Sequence, residues 1–462
     1  VTARKFGDAL LTKGAESVNQ KTFQSYDRML PAQDHMPAGG LGNLIALPLQ
    51  GRALREGNSA FIDENWNAYP DQWKRLQTVK KLSKAFVEEQ IKEWNQNSAL
   101  NFFAGDMSGE DEVSAKDEKK DKSKPWEKKE KRFNTADLDG VLAITRANQI
   151  FIDSTNVKPR MQNQLRRLAA YSNPQFYKNQ AMGFSVRGTP RIISCSSDID
   201  HYICLPRGCE ETLVHMAEQS GIAYTIQDCS QGGRPINVSF QGELYPEQKH
   251  AAEKMLAHDN GILHAATAFG KTAVGAYLVA ERKVNTLVLV HNTEIMKNWV
   301  EDFEKFLLIN EEPPQYTTPK GRIKTRKSAI GRLSASHNSV TGIIDIAMIS
   351  SLGRKGDIND LVKDYGMVIM DECHHGASQT AEEVLNEVNA KYVYGLTATP
   401  KRDDGQEKKI VMQFGAVRYR YTAKDQAQKQ GIGHFVYPRF THLTHVDGAV
   451  MKINDAYKLV IQ

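Results

Sequence analysis

The sequence predicts an α/β protein whose largest part is a parallel sheet with helices on both faces. After Gln248, short apolar segments alternate with helical segments, and this alternation is typical of parallel strands joined by helical crossovers. Polar or glycine-bearing turns follow several of these strands, which is where open α/β sheets bind ligands. The predicted strands are Gly261–Ala266, Thr286–His291, Ile343–Ile349, Met367–Met370 and Tyr392–Leu396.

Length and composition limit the class of protein. The chain has 462 residues, with 60 Lys or Arg against 55 Asp or Glu, so its formal net charge is only +5. This small excess excludes a protein that coats polyanions through extreme charge, but it permits local basic grooves. No stretch approaches the roughly 18 apolar residues of a membrane span, and the N-terminus lacks the apolar core of a signal peptide. The five cysteines at irregular spacing favour a reducing compartment, so we expect a cytoplasmic protein without a membrane partner.

A highly charged segment at residues 106–132 divides the sequence. Its 27 residues include nine acidic and nine basic side chains. Such a segment cannot bury enough apolar surface to offset the entropy of ordering, so it predicts a flexible linker, with a docking tail as the alternative. Residue 1 is Val rather than Met and Gln462 ends an apolar segment, so we expect the protein to continue at both ends. The domains predicted around the linker are 1–105, 133–240, 241–425 and the start of a further segment at 426–462.

The region 133–240 is predicted to be a small α/β connector module. Ala143–Asp153 is an apolar run typical of a strand, and Asn163–Tyr171 has apolar residues at helical spacing. Leu213–Phe240 predicts a helix, a strand, a glycine turn and a second strand. Four cysteines of the module lack the paired CxxC spacing of common zinc sites, which favours free thiols: Cys195, Cys204, Cys209 and Cys229.

The first chemical motif is a turn between the strand at Gly261–Ala266 and a helix that opens with Lys271 and Thr272. Backbone N–H groups at the start of a helix converge on anions, and the helix dipole adds a favourable field, so the turn predicts phosphate binding. Lys271 is placed to reach the β and γ phosphates of a nucleotide, and the Thr272 hydroxyl to hold Mg²⁺. Ala265 and Ala268 stand where such loops often carry Gly, so we expect a less strained backbone at Ala268. The predicted ATP-binding residues are Thr267, Ala268, Phe269, Gly270, Lys271 and Thr272.

The second motif is an acidic pair about 100 residues later in the chain, at the end of the strand Met367–Met370. Asp371 is placed to hold Mg²⁺, and Glu372 to orient and deprotonate an attacking water, which are the two carboxylate roles that phosphoryl transfer needs. The alternative for the residues that follow is a structural metal site at Cys373–His375. Three consecutive residues cannot surround a tetrahedral ion without partners from elsewhere in the chain.

The third motif is the Thr-Ala-Thr-Pro sequence that begins at Thr397, after the strand Tyr392–Leu396. The hydroxyl groups of Thr397 and Thr399 can hydrogen-bond the acidic pair and report the state of a bound nucleotide to another domain. Taken alone, this tetrapeptide indicates only the end of a strand. The order of all three motifs indicates a site that hydrolyses a nucleotide.

The three motifs in this order resemble the first RecA-like domain of superfamily 2 helicases and translocases. Asp371, Glu372 and His374 match the catalytic DExH box of that family, which reads DECH in this chain. The resemblance implies that Gln248 reads adenine through its amide and that Tyr245 stacks on the base. It also implies ATP and Mg²⁺ as cofactors, DNA as a partner with RNA as the alternative, and a second RecA-like domain of the same protein.

Two further segments resemble the nucleic-acid contact segments of this family. Thr286–Trp299 is similar to the first and Ile344–Leu352 to the second. Both matches are less specific than the motifs above, because apolar strands followed by polar loops are common in α/β proteins.

The N-terminal region resembles the primase-like domain of TOTE conflict-system proteins, which join an archaeo-eukaryotic primase to a superfamily 2 helicase. An apolar strand, a Gly-rich turn and a PDQW tetrapeptide within Ser25–Trp73 carry this resemblance. It implies that residues 1–105 are the C-terminal part of an α+β domain. Asp27, or failing that Asp34, would be a remaining metal-binding carboxylate, although a local capping role is equally open for Asp27. Two divalent ions need several carboxylates, so we expect no primer synthesis by this chain.

Together the two resemblances imply an ATP-dependent motor that couples hydrolysis to movement on DNA. The alternatives are an ATP-gated nucleic-acid clamp or scaffold that does not unwind, and an accessory part of a primase-polymerase. The sequence carries one set of motor motifs, so we expect this chain alone to bind ATP weakly and to hydrolyse it poorly.

Overall fold

A computed structural model of the chain describes residues 2–17, 48–97, 132–181, 188–190, 192–318, 321–354, 357–399, 405 and 407–430. Asp27, Asp34, residues 106–131 of the predicted linker and the segment after residue 430 lie outside the described residues. The chain forms two compact units, Val1–Arg420 and Tyr421–Gln462. Within the described ranges, no helix is both long and apolar enough to cross a membrane.

The N-terminal part of the first unit contains helices and one tight hairpin in its described residues. The hairpin lies between the second and third helices, where Ile62 pairs with Ala68. Asp71 caps the third helix, because its side chain accepts a 2.9 Å hydrogen bond from the backbone N–H of Lys74. The helices are α1 (Thr2–Ser17), α2 (Gly51–Arg55), α3 (Gln72–Thr78) and α4 (Lys84–Asn97).

The connector module is a small α/β domain. Its strands are β1 (Leu142–Arg146), β2 (Ile150–Asp153), β3 (Ala170–Ser172), β4 (Ile192–Ser194), β5 (Ser197–Ile199), β6 (Tyr202–Leu205) and β7 (Tyr224–Asp228). Its helices are α5 (Pro159–Leu168), α6 (Pro174–Ala181) and α7 (Glu210–Gln219). Five strands form one sheet in the order β5-β6-β2-β1-β7, in which β1 and β7 run parallel. Their apolar side chains pack with α5 and α7 around a buried core.

Two predictions for the connector are wrong in detail. The run Ala143–Asp153 is a hairpin of two strands, because the polar turn around Asn148 lets β1 and β2 pair with Ile144 opposite Ile152. The predicted helix Asn163–Tyr171 ends at Leu168, since Tyr171 pairs with Ile193 in the β3–β4 ladder. In both cases strand pairing overrides the local pattern, with the adjacent strand in the first and a more distant one in the second. The order predicted for 213–240, helix, strand, turn and strand, is confirmed.

The largest domain is built on an eight-stranded sheet. Its strands and those of its satellite ladders are β8 (Val238–Phe240), β9 (Asn260–Ala265), β10 (Thr286–Val290), β11 (Leu307–Ile309), β12 (Gln315–Thr317), β13 (Ile323–Thr325), β14 (Ile330–Ser334), β15 (His337–Asn338), β16 (Ile344–Met348), β17 (Gly353–Arg354), β18 (Asp357–Ile358), β19 (Met367–Asp371), β20 (Tyr392–Thr397) and β21 (Val417–Tyr421). Its helices are α8 (Pro246–Leu256), α9 (Lys271–Arg282), α10 (Thr293–Phe306), α11 (Ile349–Leu352), α12 (Gln379–Glu387) and α13 (Glu407–Phe414). The second unit contributes α14 (Ala423–Gln430) to the described residues.

The eight strands lie in the order β15-β14-β16-β10-β19-β20-β9-β21, and the central ladders are parallel. Both faces are covered. Leu287 and Leu289 of β10 pack in a core with Val384 and Phe414, while Val288 between them on the opposite face is also fully buried. The predicted α/β class is therefore confirmed, as are all five predicted strands to within one or two residues. The sequence did not indicate β14, whose five residues contain few apolar side chains and lie in a basic stretch.

One buried arginine helps to join the connector to the amino ends of the large sheet. Arg207, just before α7, donates 2.6 and 2.9 Å hydrogen bonds to the carbonyl oxygens of Val388 and Ala390, which precede β20. It also donates a 3.3 Å bond to the carbonyl oxygen of Asn148 in its own module. Burial lowers the pKa of Arg207 to about 10, and three carbonyl oxygens accept hydrogen bonds from the two terminal nitrogens of its guanidinium. This end of the sheet is a structural joint.

Candidate functional site

The opposite end of the sheet brings the three sequence motifs together. Strands β19, β20 and β9 are adjacent and parallel, with Asp371 of β19 opposite Leu396 of β20. Their carboxyl ends therefore lead to one edge, which carries the phosphate-loop turn, the acidic pair and the Thr-Ala-Thr segment. The candidate site is built from the residues at this edge.

The turn after β9 holds its backbone in an unusual conformation. The N–H of Phe269 donates a 3.2 Å hydrogen bond to the carbonyl oxygen of Ala266, which closes a turn around Thr267 and Ala268. Ala268 has a φ of 65° and Gly270, the N-cap of α9, a φ of 87°, both in the left-handed region. The expectation of a less strained backbone at Ala268 is wrong, because this turn needs a positive φ at its third residue whatever side chain stands there.

Gln248 supports this turn from α8. Its Nε2 donates a 2.7 Å hydrogen bond to the carbonyl oxygen of Phe269, and its Oε1 accepts a 2.9 Å bond from the backbone N–H of Tyr245. A Cβ on Gly270 would lie too close to Nε2 of Gln248 and displace this amide, and the positive φ itself favours glycine there. An amide has two hydrogens and two lone pairs, so Gln248 keeps one donor and one acceptor beyond these two bonds. The Tyr245 ring beside it is 73% exposed.

The first residues of α9 face the acidic pair. The Lys271 ammonium lies 3.5 Å from Oε1 of Glu372 and 3.4 Å from the carbonyl oxygen of Ala265. The Thr272 side chain is hydrogen-bonded to Asp302 of α10. Burial raises the pKa of the Asp302 carboxyl, and the Thr272 bond opposes that shift. A cation and a hydroxyl thus begin the helix at the point where its dipole attracts anions.

The Asp371 carboxylate is half-buried and held by two donors. The Trp299 indole Nε1–H donates a 2.8 Å hydrogen bond to Oδ2, and the Glu372 backbone N–H donates a 2.9 Å bond to Oδ1. Burial raises the pKa of Asp371, the Trp299 bond opposes this shift, and the neighbouring Glu372 charge adds to it. The carboxylate is thereby oriented and partly desolvated, as a metal ligand would be.

Glu372 has its two carboxylate oxygens in different surroundings. Oε2 lies 3.2 Å from Nδ1 of His374 and 3.2 Å from the Thr397 hydroxyl, which is itself 3.1 Å from that ring nitrogen. The backbone N–H of Ala398 lies 3.4 Å from the same oxygen, whereas Oε1 faces Lys271. Glu372 takes a left-handed conformation, with a φ of 45°. This strained residue is therefore positioned by the elements on either side of it.

The two predicted coupling threonines differ in their contacts. Thr397 is fully buried and its hydroxyl touches both Glu372 and His374. Thr399 contributes its backbone instead, since its N–H donates a 3.2 Å bond to the Thr397 hydroxyl. The structure thus places Thr397, and not the Thr399 side chain, in contact with the acidic pair.

Cys373, within the alternative metal site, has the surroundings of a core residue. Its side chain packs against Gly395 of β20 and has no exposed surface. Burial raises the pKa of the thiol, so it keeps its proton and acts as a small apolar group rather than a thiolate ligand. Among the described residues no cluster of three His, Cys, Asp or Glu side chains could hold a metal ion.

Sequence reasoning missed Trp299 and Asp302 as parts of the site. Trp299 ends the segment expected to contact nucleic acid, but it is only 1% exposed, and its ring packs on Gly275 of α9. The signal was present in the helical spacing of Met296, Trp299, Val300 and Phe303, which places one apolar stripe toward the sheet. What that spacing could not indicate is the indole hydrogen bond to Asp371, because the two residues are 72 positions apart.

The fold is that of a RecA-like α/β domain, and comparison with known proteins agrees with this class. Residues 241–402 match the family model described as the res subunit of type III restriction enzymes. Residues 1–90 match the model of the archaeo-eukaryotic primase domain of the TOTE conflict system. These matches confirm the resemblance to a TOTE-type primase segment and to a superfamily 2 helicase domain.

Similar proteins of known type are helicases and translocases. The DNA 3'-5' translocase XPB2 of Sulfurisphaera tokodaii is 27% identical over 218 residues, which are 46% of this chain and 45% of that protein. The DNA 3'-5' helicase XPB of Mycobacterium tuberculosis is 22% identical over 289 residues, 58% of this chain and 50% of that protein. The UvsW helicase of bacteriophage T4 has a TM-score of 0.44 and 14% identity over 60% of this chain and 99% of its own. The chain spans about half the length of the two XPB relatives that it matches.

Proposed function

We propose that this chain binds ATP with Mg²⁺ and hydrolyses it, as the motor of a protein that moves on DNA. The observation that carries the proposal is the convergence of Lys271, Asp371 and Glu372 at one sheet edge, with the lysine 3.5 Å from Glu372. Phosphoryl transfer needs a cation for the phosphates, a carboxylate for the metal and a carboxylate for the water. Lys271 and the acidic pair supply these three groups from two separate motifs.

The phosphate-binding part of the proposal rests on α9 and its loop. The backbone N–H groups at the start of the helix and the Lys271 ammonium would donate to phosphate oxygens. A phosphate would compete with Glu372 for Lys271, because both are anions within reach of one ammonium group. Lys271 would then leave Oε1 of Glu372, the oxygen that it faces in this structure.

The catalytic part rests on the asymmetry of Glu372. His374, Thr397 and the Ala398 N–H all approach Oε2 and fix the carboxylate in place. Oε1 would then orient a water molecule and accept its proton. Asp371 and the Thr272 hydroxyl would hold Mg²⁺, which would supply positive charge to offset the charge of the phosphates. Burial and the Trp299 bond suit Asp371 to this task.

The base-binding part rests on the Gln248 side-chain amide, which keeps one N–H donor and one lone pair beyond its bonds to Phe269 and Tyr245. Adenine offers a donor and an acceptor side by side, so an amide can pair with both. The exposed Tyr245 ring would stack on the base.

Movement on DNA is proposed from the names of the translocase and helicase relatives. A second RecA-like domain would complete the nucleotide site, so this chain alone would bind ATP weakly and hydrolyse it slowly.

The test is nucleotide binding and hydrolysis by two variants of the chain. Lys271→Ala should weaken binding of a fluorescent ATP analogue by about 10- to 100-fold, because a charge-assisted hydrogen bond to phosphate is removed. Glu372→Gln should leave that affinity within about threefold and lower DNA-stimulated ATP hydrolysis by at least about 100-fold, since the base is removed.

Matched controls separate these effects from general damage. Lys254→Ala on α8 and Glu304→Gln on α10 make the same chemical changes at exposed positions and should behave as the unmodified chain. Wild-type hydrolysis by Glu372→Gln would refute the role of that carboxylate. In the full-length protein, ATP hydrolysis with strand displacement supports a helicase, whereas hydrolysis without movement would indicate the ATP-gated clamp.

A further inference from the structure

The described residues before the connector contain a small hairpin that displays an aromatic ring. The backbone N–H of Tyr69 donates a 3.0 Å hydrogen bond to the carbonyl oxygen of Phe61, and the N–H of Asp63 donates a 2.8 Å bond to the carbonyl oxygen of Asn67 across the same hairpin. At the tip, Oδ1 of Asp63 accepts 2.9 and 2.8 Å bonds from the N–H groups of Asn65 and Asn67. The tip of the hairpin is therefore defined by its own hydrogen bonds.

Trp66 occupies this tip in an unfavourable setting. Its backbone has a φ of 66°, in the left-handed region that bulky residues seldom adopt. Its side chain is 83% exposed to solvent, the largest value among the exposed large apolar residues of the described chain. Such a residue is a candidate for binding, since the fold holds it in a strained and solvent-facing position.

A second exposed indole is joined to the hairpin by Gln72. The Gln72 side chain accepts a 2.6 Å bond from the backbone N–H of Phe61 and donates to the carbonyl oxygens of Phe61 and Tyr69, at 3.0 and 2.7 Å. Trp73, the next residue and part of α3, is 64% exposed. The hydrogen bonds of Gln72 therefore connect the hairpin that carries Trp66 to the helix that carries Trp73.

The chain around Trp73 is strongly cationic. Residues 72–84 contain no acidic side chain and five basic ones, which are Lys74, Arg75, Lys80, Lys81 and Lys84. Of these, Lys84 is already paired with Glu88, at 3.7 Å. The Arg75 guanidinium lies over the Tyr69 ring, 5.0 Å from its centre, which keeps the cation beside the hairpin. Exposed aromatic rings next to a run of cations match the charge and shape of an unpaired polynucleotide, whose bases offer flat faces and whose phosphates are anionic.

We propose that Trp66, Trp73 and the cations Lys74, Arg75, Lys80 and Lys81 form a binding surface for single-stranded nucleic acid, here called the Trp66 surface. The indoles would stack on bases, and the lysines and arginine would contact phosphates without sequence preference. A base can stack on an indole only when its face is free, so single strands are favoured over duplex. The surface does not depend on the ATPase proposed above, because none of its residues belongs to the nucleotide site.

The test measures binding of a fluorescently labelled thymidine oligonucleotide to the whole chain without nucleotide. The double variant Trp66→Ala, Trp73→Ala should weaken binding by at least about tenfold, because two stacking rings are removed. Trp66→Phe with Trp73→Phe should restore affinity to within about threefold, since a phenyl ring also stacks. Lys80→Gln with Lys81→Gln should lower the slope of log affinity against log salt by about 0.7 for each phosphate that is no longer neutralised. Arg52→Gln is the control, as that exposed arginine is already paired with Glu56 in the same region.

Photocrosslinking with 5-bromodeoxyuridine in the oligonucleotide locates the binding surface directly. Crosslinks to peptides containing Trp66 or Trp73 support the proposal, and crosslinks confined to residues 241–430 overturn it. Unchanged oligonucleotide affinity in the double alanine variant would also overturn the proposal. A changed sedimentation coefficient of that variant would then indicate that the two indoles form a contact with protein. Lys271→Ala should leave this binding intact, so failure of the proposed ATPase and failure of the Trp66 surface are distinguishable.

Discussion

The two ends of the large sheet both bury charge, but they treat it differently. At the amino end, Arg207 is enclosed by the connector, and three backbone carbonyl oxygens accept its hydrogen bonds. At the carboxyl end, Asp371 and Glu372 are adjacent like charges with one ammonium group, Lys271, beside them. A buried charge whose bonds are completed by the protein stabilises a joint. Like charges held side by side in strained backbone suit a site that a ligand completes.

The largest expected effect tests the joint at the amino end. Arg207→Met should lower the free energy of unfolding by about 2–4 kcal/mol, because three buried carbonyl oxygens lose their donor. Urea denaturation would measure it, with Arg52→Gln as the exposed control, for which we expect no more than about 0.5 kcal/mol. Nucleotide affinity of the folded Arg207→Met chain should be unchanged. A decrease under about 1 kcal/mol would contradict the view that this arginine anchors the connector.

A smaller effect, on binding rather than stability, tests the carboxyl end. Trp299→Phe keeps an aromatic ring but removes the N–H that donates to Asp371. Because that bond opposes the rise in the pKa of Asp371, its removal should raise the pKa further. Asp371 would then be protonated at higher pH, and if this carboxylate holds Mg²⁺ as proposed, Mg²⁺-dependent ATP binding should fail at a higher pH than in the unmodified chain.

The measurement is the affinity for a fluorescent ATP analogue between about pH 5 and pH 8, with and without Mg²⁺. We expect a decrease of about tenfold near neutral pH with Mg²⁺ present. Phe303→Leu on the same helix is the control, because it alters packing without removing a hydrogen bond. A parallel decrease in both variants, with no shift in pH dependence, would show that Trp299 acts only through packing.

The smallest effect concerns the strained turn of the phosphate loop. Ala268→Gly should relieve the left-handed backbone at a φ of 65°, at the cost of more conformational freedom in the unfolded chain. The two terms nearly cancel, so we expect the free energy of unfolding to rise by at most about 1 kcal/mol. Thermal denaturation would detect it. Destabilisation instead would mean that the Ala268 side chain contributes contacts that outweigh the strain.

The site motifs could be predicted because each is local. The phosphate-loop turn requires only a strand, Gly270 and a helix that begins at Lys271, and these are consecutive in the chain. The acidic pair directly follows a continuous apolar strand, β19, and Thr397 ends the next strand in the same way. Apolar periodicity and the residues at strand ends can both be recognised in short segments of sequence. The residues at the carboxyl edge of the sheet could therefore be predicted from such segments.

The connector shows where such reasoning fails. The hairpin of β1 and β2 depends on a turn inside one apolar run, and the early end of α5 depends on β4, a strand further along the chain. Short apolar runs are compatible with either a helix or a strand, and the partner decides between them. No window of sequence around Tyr171 contains Ile193, so its pairing could not be anticipated.

By itself, the sequence determined the α/β class, the order of the strands along the chain and the identity of the charged groups at the carboxyl edge. Tertiary structure decided which groups meet: Trp299 with Asp371 across 72 positions, and Arg207 with Val388 across 181. It also decided that Trp66 stands exposed on a strained hairpin tip. The reason is that backbone patterns are local, whereas burial and hydrogen-bond partners depend on chain segments that only the folded structure brings together.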